Sequence, residues 1–276
     1  MQLFFQHFYN SLKRIAIIGM VHVRALPGTP KSTFSCQQLI DKACEEANLY
    51  VKHGIDGICI ENMFDVPYVT SMDSGPEVTA MMTRVTSEVR KVCPRSIPCG
   101  TQILAAQNRE ALAVALAAEL QFIRVEAFVF SHVADEGLMN ATAGQLLRYR
   151  KQIGAESVAI LTDIKKKHSS HSITSDVDIV DTAKAARFFL SDGLILTGKE
   201  TGDSPDPDEV FRVKEKLSGT PIIVGSGVTL KNISQYSKIG VNAAIVGSYF
   251  KKGQQWQNVI CEDRLRELMK FVHEKS

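Results

Sequence analysis

Short apolar runs alternate with amphipathic runs along almost the whole chain. The apolar runs are nearly continuous in hydrophobic residues, as parallel strands covered on both faces must be. We predict strands over residues 15–23, 55–63, 98–104, 122–128, 158–164, 193–197, 221–224 and 243–246. These strands are therefore expected to lie inside the protein rather than at its surface.

The segments between the strands have the spacing of amphipathic helices. In the first, apolar residues recur at intervals of three and four from Cys36 to Val51, which places them on one face. Further helices are predicted near 77–92, 109–119, 140–153, 176–190, 207–217, 230–238 and 261–274.

Strands that alternate with helices in this way predict an α/β fold, a (β/α)₈ TIM barrel. The barrel is predicted as a single domain over 1–276, with 1–14 as an N-terminal extension. An open doubly wound sheet is the alternative. Similar units without a break in composition favour a closed barrel.

The predicted loops differ in length at the two ends of the strands. Connections from helix to strand are short, such as 53–54 and 191–192, whereas those from strand to helix span 24–35, 64–76 and 129–139. Barrel enzymes build their sites from the strand-to-helix loops. The sequence therefore predicts a functional site at the carboxyl ends of the strands.

Composition narrows the classes of partner. The chain of 276 residues is 45% hydrophobic, and its 32 Lys and Arg nearly balance 30 Asp and Glu, for a net charge of +2. This balance gives no support for a nucleic-acid partner or a membrane surface. No apolar run approaches the roughly 18 residues of a membrane helix. We expect a small-molecule partner, no nucleic acid, no membrane, and a homo-oligomer as the default for a barrel.

The cysteines and the N-terminal segment bear on location. The six cysteines form neither a CxxC motif nor zinc-finger spacing with histidine. They therefore indicate a reducing compartment, and we predict a cytoplasmic location. The first acidic residue is Asp41, and Lys13 and Arg14 precede an apolar segment. An acid-poor start is also typical of an organelle transit signal, so a mitochondrial location is the alternative.

Two glycine-rich turns end the last two predicted strands. Gly225, Ser226 and Gly227 follow the seventh strand, and Gly247 and Ser248 follow the eighth. Glycine lets the backbone approach a ligand closely, and successive N–H groups at such turns bind anions. The corresponding loops hold a phosphate in many barrels. We therefore predict a phosphate-bearing ligand here, with sulfate or carboxylate as the chemical alternative.

The sixth predicted strand ends in a run of similar character. Thr197 and Gly198 lie at the strand end, and Gly202 closes the TGKETG run. The run offers backbone donors, hydroxyl groups and a lysine, and we predict that it helps to bind the phosphate. Thr and Gly are also ordinary turn residues, so the run alone does not establish a site.

Charged residues follow the fifth predicted strand, in the sequence TDIKKKH. Alternation of side chains places Asp163, Lys165 and Lys167 on one face, about 6.6 Å apart. We predict that Asp163 and Lys165 are catalytic and handle protons or charge. Lys165 is predicted to be a charged partner of a phosphate or a carboxylate rather than an imine-forming amine. Lys167 and His168 are predicted to bind substrate, whereas Lys166 is predicted to be solvated.

Further polar residues are predicted at the same mouth. His22 lies in the first strand, and Glu61 and Asn62 lie at the end of the second. The fourth strand contains Arg124 and Glu126, and charges in an apolar strand need a partner or a wet cavity. We predict His22, Glu61 and Glu126 as catalytic acid–base groups. Asn62 is predicted to bind substrate, and Arg124 to form a structural ion pair.

The same carboxylates and histidines allow a metal-dependent alternative. The candidate ligands of a divalent metal are His22, Glu61, Asp163 and His168. These four residues have neither the HxxxH nor the DxD spacing that would demand a metal. We therefore predict no metal and no cofactor, and keep a metal-dependent hydrolase as an alternative.

A series of motifs extends over nearly the whole chain. They are IGMVHVRALPGTP, GICIENMFDVPY, FIRVEAF, LTDIKKKHSSH, LTGKETGDSPD, PIIVGSGVTLKNISQY and AAIVGSYFKKG. In this order they resemble the BtpA/SgcQ family, which implies a phosphate-binding-type (β/α)₈ barrel. The resemblance implies that the turns at 225–227 and 247–248 are the family's phosphate-type loops, and that 163–168 is its DxKxKH stretch. Many relatives have Asn at the Glu126 position, so Glu126 departs from the family pattern.

The resemblance implies no particular reaction. One photosynthetic member is linked to photosystem I accumulation, and a bacterial member sits among sugar-transport genes. Together with the residues, this predicts an enzyme acting on a sugar phosphate or nucleotide-related phosphate by isomerase, lyase or transferase chemistry. The alternative, from the photosynthetic association, is a non-catalytic assembly or stability factor for a protein complex.

Overall fold

The computed structural model of the protein describes residues 14–274, in which eight parallel strands close into a barrel. The strands β1 to β8 are Ala16–His22, Gly57–Glu61, Cys99–Gln102, Phe122–Val125, Ala159–Ile164, Gly193–Leu196, Ile222–Val224 and Ala243–Val246. Each strand pairs with the strand before it, and β8 pairs with β1 to close the ring. The predicted (β/α)₈ barrel is confirmed.

Helices follow the strands and cover the outside of the barrel. The helices α1 to α8 are Cys36–Lys52, Pro76–Val92, Asn108–Ala117, Ala143–Gln152, Ile179–Phe188, Pro207–Lys216, Ile233–Ile239 and Glu262–Glu274. The helix α1 begins with a capping box in which Ser35 and Gln38 satisfy each other's backbone N–H groups. Connections from helix to strand are short, so the longer loops all lie at the carboxyl ends of the strands.

Alternate side chains of the strands fill the interior of the barrel. Ala16, Ile18 and Met20 of β1 belong to one buried cluster with inward residues of the other strands. The intervening residues pack outward against the helices. Continuing this alternation by one step places His22 and Glu61 at the carboxyl end of the barrel. The sealed interior below them forms a floor for the site.

A small antiparallel sheet lies in the loops at this end of the barrel. Its hairpin, His132–Ala134 and Gly137–Met139, belongs to the connection from β4 to α4. The strand Ser169–Ser170, from the connection between β5 and α5, pairs with the first strand of the hairpin. The sequence predicted no strand in either place, so this sheet was missed.

The start of the barrel is fixed by a partly buried ion pair. Arg14 donates to both carboxylate oxygens of Asp56 at 2.7 Å, and Asp56 also accepts from the Ile17 N–H at 2.8 Å. The pair ties the beginning of β1 to the loop before β2. The rest of the predicted extension, and any transit signal in it, lies outside the described residues.

Candidate active site

A cleft at the carboxyl ends of the strands consists of two connected cavities. The larger, called the chamber, has a volume of about 240 Å³, and the smaller, called the cradle, about 40 Å³. The residues that line both are Glu61, Met63, Arg124, Lys167 and Thr201. Because the two cavities share these walls, a single ligand can occupy both.

The cradle is formed largely by the two glycine turns. Its lining includes Gly225, Ser226, Gly227, Gly247 and Ser248, all predicted as phosphate-binding residues. Within residues 14–274, the N–H groups of Gly227 and Gly247 donate no hydrogen bond. A Cβ at position 247 would lie 3.2 Å from the imidazole of His22. The cradle therefore offers free N–H donors next to that ring, as an anion site requires.

The loop from β6 to α6 packs against the cradle. Ser226 Oγ donates to the Asp203 carbonyl at 2.6 Å and accepts from the Gly198 N–H at 2.9 Å. Gly227 has a φ of +65°, and a Cβ there would lie 2.1 Å from the backbone nitrogen of Ser204. Only glycine allows this close contact of the two backbones.

The two ends of the predicted phosphate-binding run at 197–202 lie in different cavities. Gly202 lines the cradle, together with Thr201. Thr197 and Gly198 instead line a neighbouring groove between β5 and β6, which shares Lys166 and Lys167 with the chamber. The prediction that Thr197 and Gly198 bind the phosphate together with Gly202 is wrong. The loop turns between Gly198 and Thr201, so only its second half lines the cradle.

His22 and Glu61 form a pair at the centre of the cleft. The two residues are direct partners in the register of β1 and β2, and His22 Nε2 lies 3.9 Å from Glu61 Oε2. His22 Nδ1 lies 3.3 Å from the Trp256 carbonyl oxygen. Since a carbonyl only accepts, the proton is assigned to Nδ1. The lone pair of Nε2 therefore faces Glu61 and the cradle.

Burial shifts the pKa values of both groups toward their neutral forms. The pKa of His22 is well below its ordinary value, because of burial and the nearby Lys251 cation. The pKa of Glu61 is raised by burial, against the opposing effect of Arg124 and Lys167. A neutral imidazole can take a proton and a protonated carboxyl can give one, so the pair suits acid–base chemistry.

We expect His22 to make the fold sensitive to acid. Its neutral form is favoured in the folded state, so it stabilises the fold above an unfolded-state pKa of about 6.5. This contribution is lost as the pH falls below that value toward the lower folded-state pKa. Urea unfolding from about pH 8 to 5 tests this: stability should fall less steeply in His22→Asn than in the wild type. Parallel curves for the two proteins would contradict it.

Arg124 and Asp163 form a buried bidentate ion pair. Arg124 donates through Nε and Nη2 to the two carboxylate oxygens at 2.9 and 2.8 Å, and the side chains are only 4% and 1% exposed. Burial lowers the pKa of Arg124, but the charge and hydrogen bonds of Asp163 raise it by more. The net pKa therefore lies above its ordinary value. The predicted ion pair of Arg124 thus has Asp163 as its partner. Asp163 does not line the cleft, so its predicted acid–base role is replaced by that of positioning Arg124.

The predicted common face of Asp163, Lys165 and Lys167 is wrong. β5 ends at Ile164, and Lys165 has a φ of 47°, which interrupts the alternation of side chains. Lys165 consequently lines the groove beside β6 and neither the chamber nor the cradle, whereas Lys167 borders that groove and also the chamber and the cradle. Burial, followed by the Arg124 charge, lowers the pKa of Lys167. The lysine next to the candidate phosphate site is therefore Lys167.

Lys166 is buried, contrary to the prediction that it is solvated. Its Nζ lies 3.4 Å from Glu126 and 3.7 Å from Glu136, and its side chain is 7% exposed. Glu126 also accepts from the Ala106 N–H at 3.1 Å. Burial raises the pKa of Glu126, while Lys166 opposes the rise. The predicted catalytic candidate Glu126 thus lines the chamber as one member of a three-residue charge network.

Asn62 and His168, both predicted to bind substrate, differ in their surroundings. Asn62 donates to Asp65 at 2.9 Å and accepts from the Leu104 N–H at 2.8 Å, which ties two loops together. Its amide is therefore used within the protein, not in the cleft. His168 lines the chamber, and its Nε2 contacts Thr201 Oγ1 at 3.0 Å.

The four residues considered as metal ligands do not form one group. Asp163 is held by Arg124, and His168 is exposed and bonded to Thr201. In the part of the chain from 14 to 274, no group of three or more His, Cys, Asp or Glu is placed to share a metal ion. The geometry therefore does not support the four-ligand site of the metal-dependent alternative.

Several chamber residues were missed by the sequence analysis. Gln102 is the partner of Glu61 in the register of β2 and β3, and it lines the chamber with Glu136. Period-two alternation along β3 could have identified Gln102. Glu136 lies at the turn of the hairpin, and no strand pattern predicted that turn.

Comparison with known proteins places the chain in a family. A family model matches residues 13–274, and its description is the BtpA family. The chain belongs to the BtpA family. A relative in Caenorhabditis elegans, named as uncharacterized and mitochondrial, is 46% identical over 263 residues, which cover 94% of each chain. The photosystem I biogenesis protein BtpA of Synechocystis is 32% identical over 236 residues, covering 86% of this chain and 80% of that protein.

Solved structures similar to this BtpA-family chain are also barrels. Thiamine phosphate pyrophosphorylase from Pyrococcus furiosus has a TM-score of 0.60 at 13% identity, covering 94% of this chain and 96% of that one. A geranylgeranylglyceryl phosphate synthase from Thermoplasma acidophilum, in complex with its substrate sn-glycerol-1-phosphate, has a TM-score of 0.59 at 14% identity. The alignment covers 99% of each chain. Identities this low show the fold alone.

A helix that crosses a membrane needs about 20 mostly apolar residues. Among residues 14–274, no helix combines the length and apolar character needed to cross a bilayer.

Proposed function

We propose that the protein is an enzyme acting on a phosphorylated small molecule, a sugar phosphate or nucleotide-related phosphate. The phosphate is held in the cradle, and the rest of the substrate lies in the chamber. The observation that carries this proposal is the contact between the anion-binding cradle and the acid–base pair of His22 and Glu61. A Cβ at Gly247 in the cradle would lie 3.2 Å from the ring of His22, one half of the acid–base pair.

The cradle has the chemistry that a phosphate ester needs. Free N–H groups at Gly227 and Gly247 donate to phosphate oxygens, and Lys167 supplies a cation at the same wall. Both structural neighbours described above are named for phosphorylated molecules, and one is bound to sn-glycerol-1-phosphate. These features support phosphate as the anchor of the substrate.

Acid–base chemistry follows from the positions of His22 and Glu61. His22 takes a proton at Nε2 from a carbon or hydroxyl close to the phosphate, and Glu61, whose pKa burial raises, exchanges a proton with an adjacent oxygen. Glu126 is a second buried carboxyl in the chamber. Paired proton transfers of this kind are the steps of isomerases and of many lyases and transferases.

Gly247→Ala tests the position of the phosphate. The added methyl would lie against His22 and narrow the cradle, so the affinity for ribose 5-phosphate or inorganic phosphate should fall by at least about tenfold. Isothermal titration calorimetry measures the change. The matched control is Gly144→Ala, where a Cβ also meets a neighbour at 3.3 Å but on the outer helix α4. Unchanged affinity in Gly247→Ala would place the phosphate elsewhere.

The name of the Synechocystis relative favours a second candidate, a non-catalytic factor in the biogenesis of a protein complex. Substitutions in the cleft distinguish an enzyme from a biogenesis factor. An enzyme loses its function in vivo when Glu61 or Lys167 is replaced. A biogenesis factor retains function after those changes and loses it when surface residues are replaced.

Location and assembly stay predictions. The mitochondrial label of the Caenorhabditis elegans relative supports the mitochondrial alternative over the cytoplasmic one. The default homo-oligomer is tested by sedimentation of the purified protein.

A further inference from the structure

Two buried acceptors line the chamber without a hydrogen-bond donor. Gln102 is 2% exposed, and its Oε1 accepts no hydrogen bond from the described residues. The Glu136 side chain is 7% exposed, and its Oε2 likewise accepts none, with the Lys166 ammonium 3.7 Å away. A buried acceptor without a donor costs free energy, which a donor on a ligand can recover.

Both residues lie on the side of the chamber away from the cradle. Gln102, Glu126, Asp135 and Glu136 line the chamber and not the cradle. Lys166 contacts Glu126 and Glu136 and offsets part of their charge, but Asp135 adds another carboxylate. A second anionic group on a ligand would therefore meet carboxylates at this end, and this is unfavourable.

The chamber also has apolar and aromatic side chains in its lining. Tyr68 and Trp256 present rings, and Met63 and Leu104 present aliphatic groups. Rings and aliphatic groups suit the C–H surface of a carbon chain, and carboxylate and amide oxygens suit its hydroxyl groups. Carbon chains that carry a hydroxyl on each carbon offer both kinds of surface.

We propose that the substrate carries an uncharged, hydroxyl-bearing carbon chain at the end away from its phosphate. It is thus a sugar phosphate or polyol phosphate without a terminal carboxylate or second phosphate. Gln102 and Glu136 accept hydrogen bonds from its hydroxyl groups and determine this specificity. The inference rests on the proposed phosphate site in the cradle.

A hydroxyl end fits the chamber better than an ammonium end. Lys166 already lies between Glu126 and Glu136 and supplies the positive charge that these carboxylates need. A second cation would be repelled by Lys166, whereas a hydroxyl group donates to Glu136 without adding charge.

Sorbitol 6-phosphate and 6-phosphogluconate form a matched pair of ligands for the test. They have the same six-carbon skeleton, and C1 carries a hydroxyl in the first and a carboxylate in the second. Calorimetry should show sorbitol 6-phosphate binding at least about tenfold more tightly. Glu136→Gln keeps an acceptor and removes a charge, so it should reduce this preference to about threefold or less. The control Glu156→Gln, at an exposed position before β5, should leave the preference unchanged.

The outcomes separate this inference from the proposed function. Equal binding, or tighter binding of 6-phosphogluconate, overturns the inference and leaves the phosphate site in place. Binding of neither ester, with no binding of inorganic phosphate, overturns both. If Glu136→Gln fails to fold, Gln102→Leu provides the second test. It should weaken sorbitol 6-phosphate binding at least about threefold, and unchanged affinity would overturn the role of Gln102.

Discussion

Arg124→Met is expected to lower the free energy of unfolding by about 3–5 kcal/mol. The change removes one partner of a bidentate pair and leaves the Asp163 carboxylate, which is 1% exposed, buried without its counter-ion. Urea unfolding followed by circular dichroism measures the difference. The matched control is Arg212→Met, which breaks an exposed pair with Asp178 and should cost less than about 1 kcal/mol.

A double variant shows whether the cost comes from the unpaired charge. Arg124→Met combined with Asp163→Leu replaces both charges by apolar side chains of similar size. Since no charge is then buried alone, the double variant should be more stable than Arg124→Met. If Arg124→Met lowered the free energy of unfolding by less than about 1 kcal/mol, Asp163 would have to have another partner.

The second large effect concerns the lysines that follow β5. Lys167→Met should weaken the binding of ribose 5-phosphate by about 10- to 100-fold, since a hydrogen bond to a charged group contributes about 1.5–3 kcal/mol. Lys165→Met should leave the affinity within about twofold, because Lys165 lines the groove beside β6 and not the cradle. Calorimetry on the two variants compares neighbouring lysines that differ in position and not in chemistry.

The reverse result would restore the interpretation drawn from the sequence alone. If Lys165→Met lost affinity and Lys167→Met did not, the ligand would lie between β5 and β6 instead of in the cradle. A covalent adduct at Lys165 after borohydride treatment with sugar phosphates would indicate imine chemistry there.

Regular periodicity made the barrel predictable from the sequence. Apolar strands such as β1 and β8 and the glycine turns after β7 and β8 carry local signals that tertiary contacts reinforce. His22 and Glu61 were predicted at the mouth because each ends a strand, and register makes them neighbours. The parts of the site that follow strand alternation could therefore be inferred.

The remaining parts depend on backbone geometry that the sequence does not display. Left-handed backbone at Lys165 and His168 reorients the lysine run, so alternation predicted the wrong lysine. The charge of Glu136 reaches the chamber only because the hairpin forms and pairs with Ser169–Ser170. Such loop structure depends on long-range contacts, which a local pattern cannot specify.

A crystal structure of the protein soaked in ribose 5-phosphate tests the central claim most directly. The account predicts a phosphate in the cradle, bound by the N–H groups of Gly227 and Gly247 with Lys167 beside it, and a sugar directed toward Glu61. An empty cradle with phosphate bound in the groove beside Lys165, or no bound phosphate at saturating ligand, would contradict it.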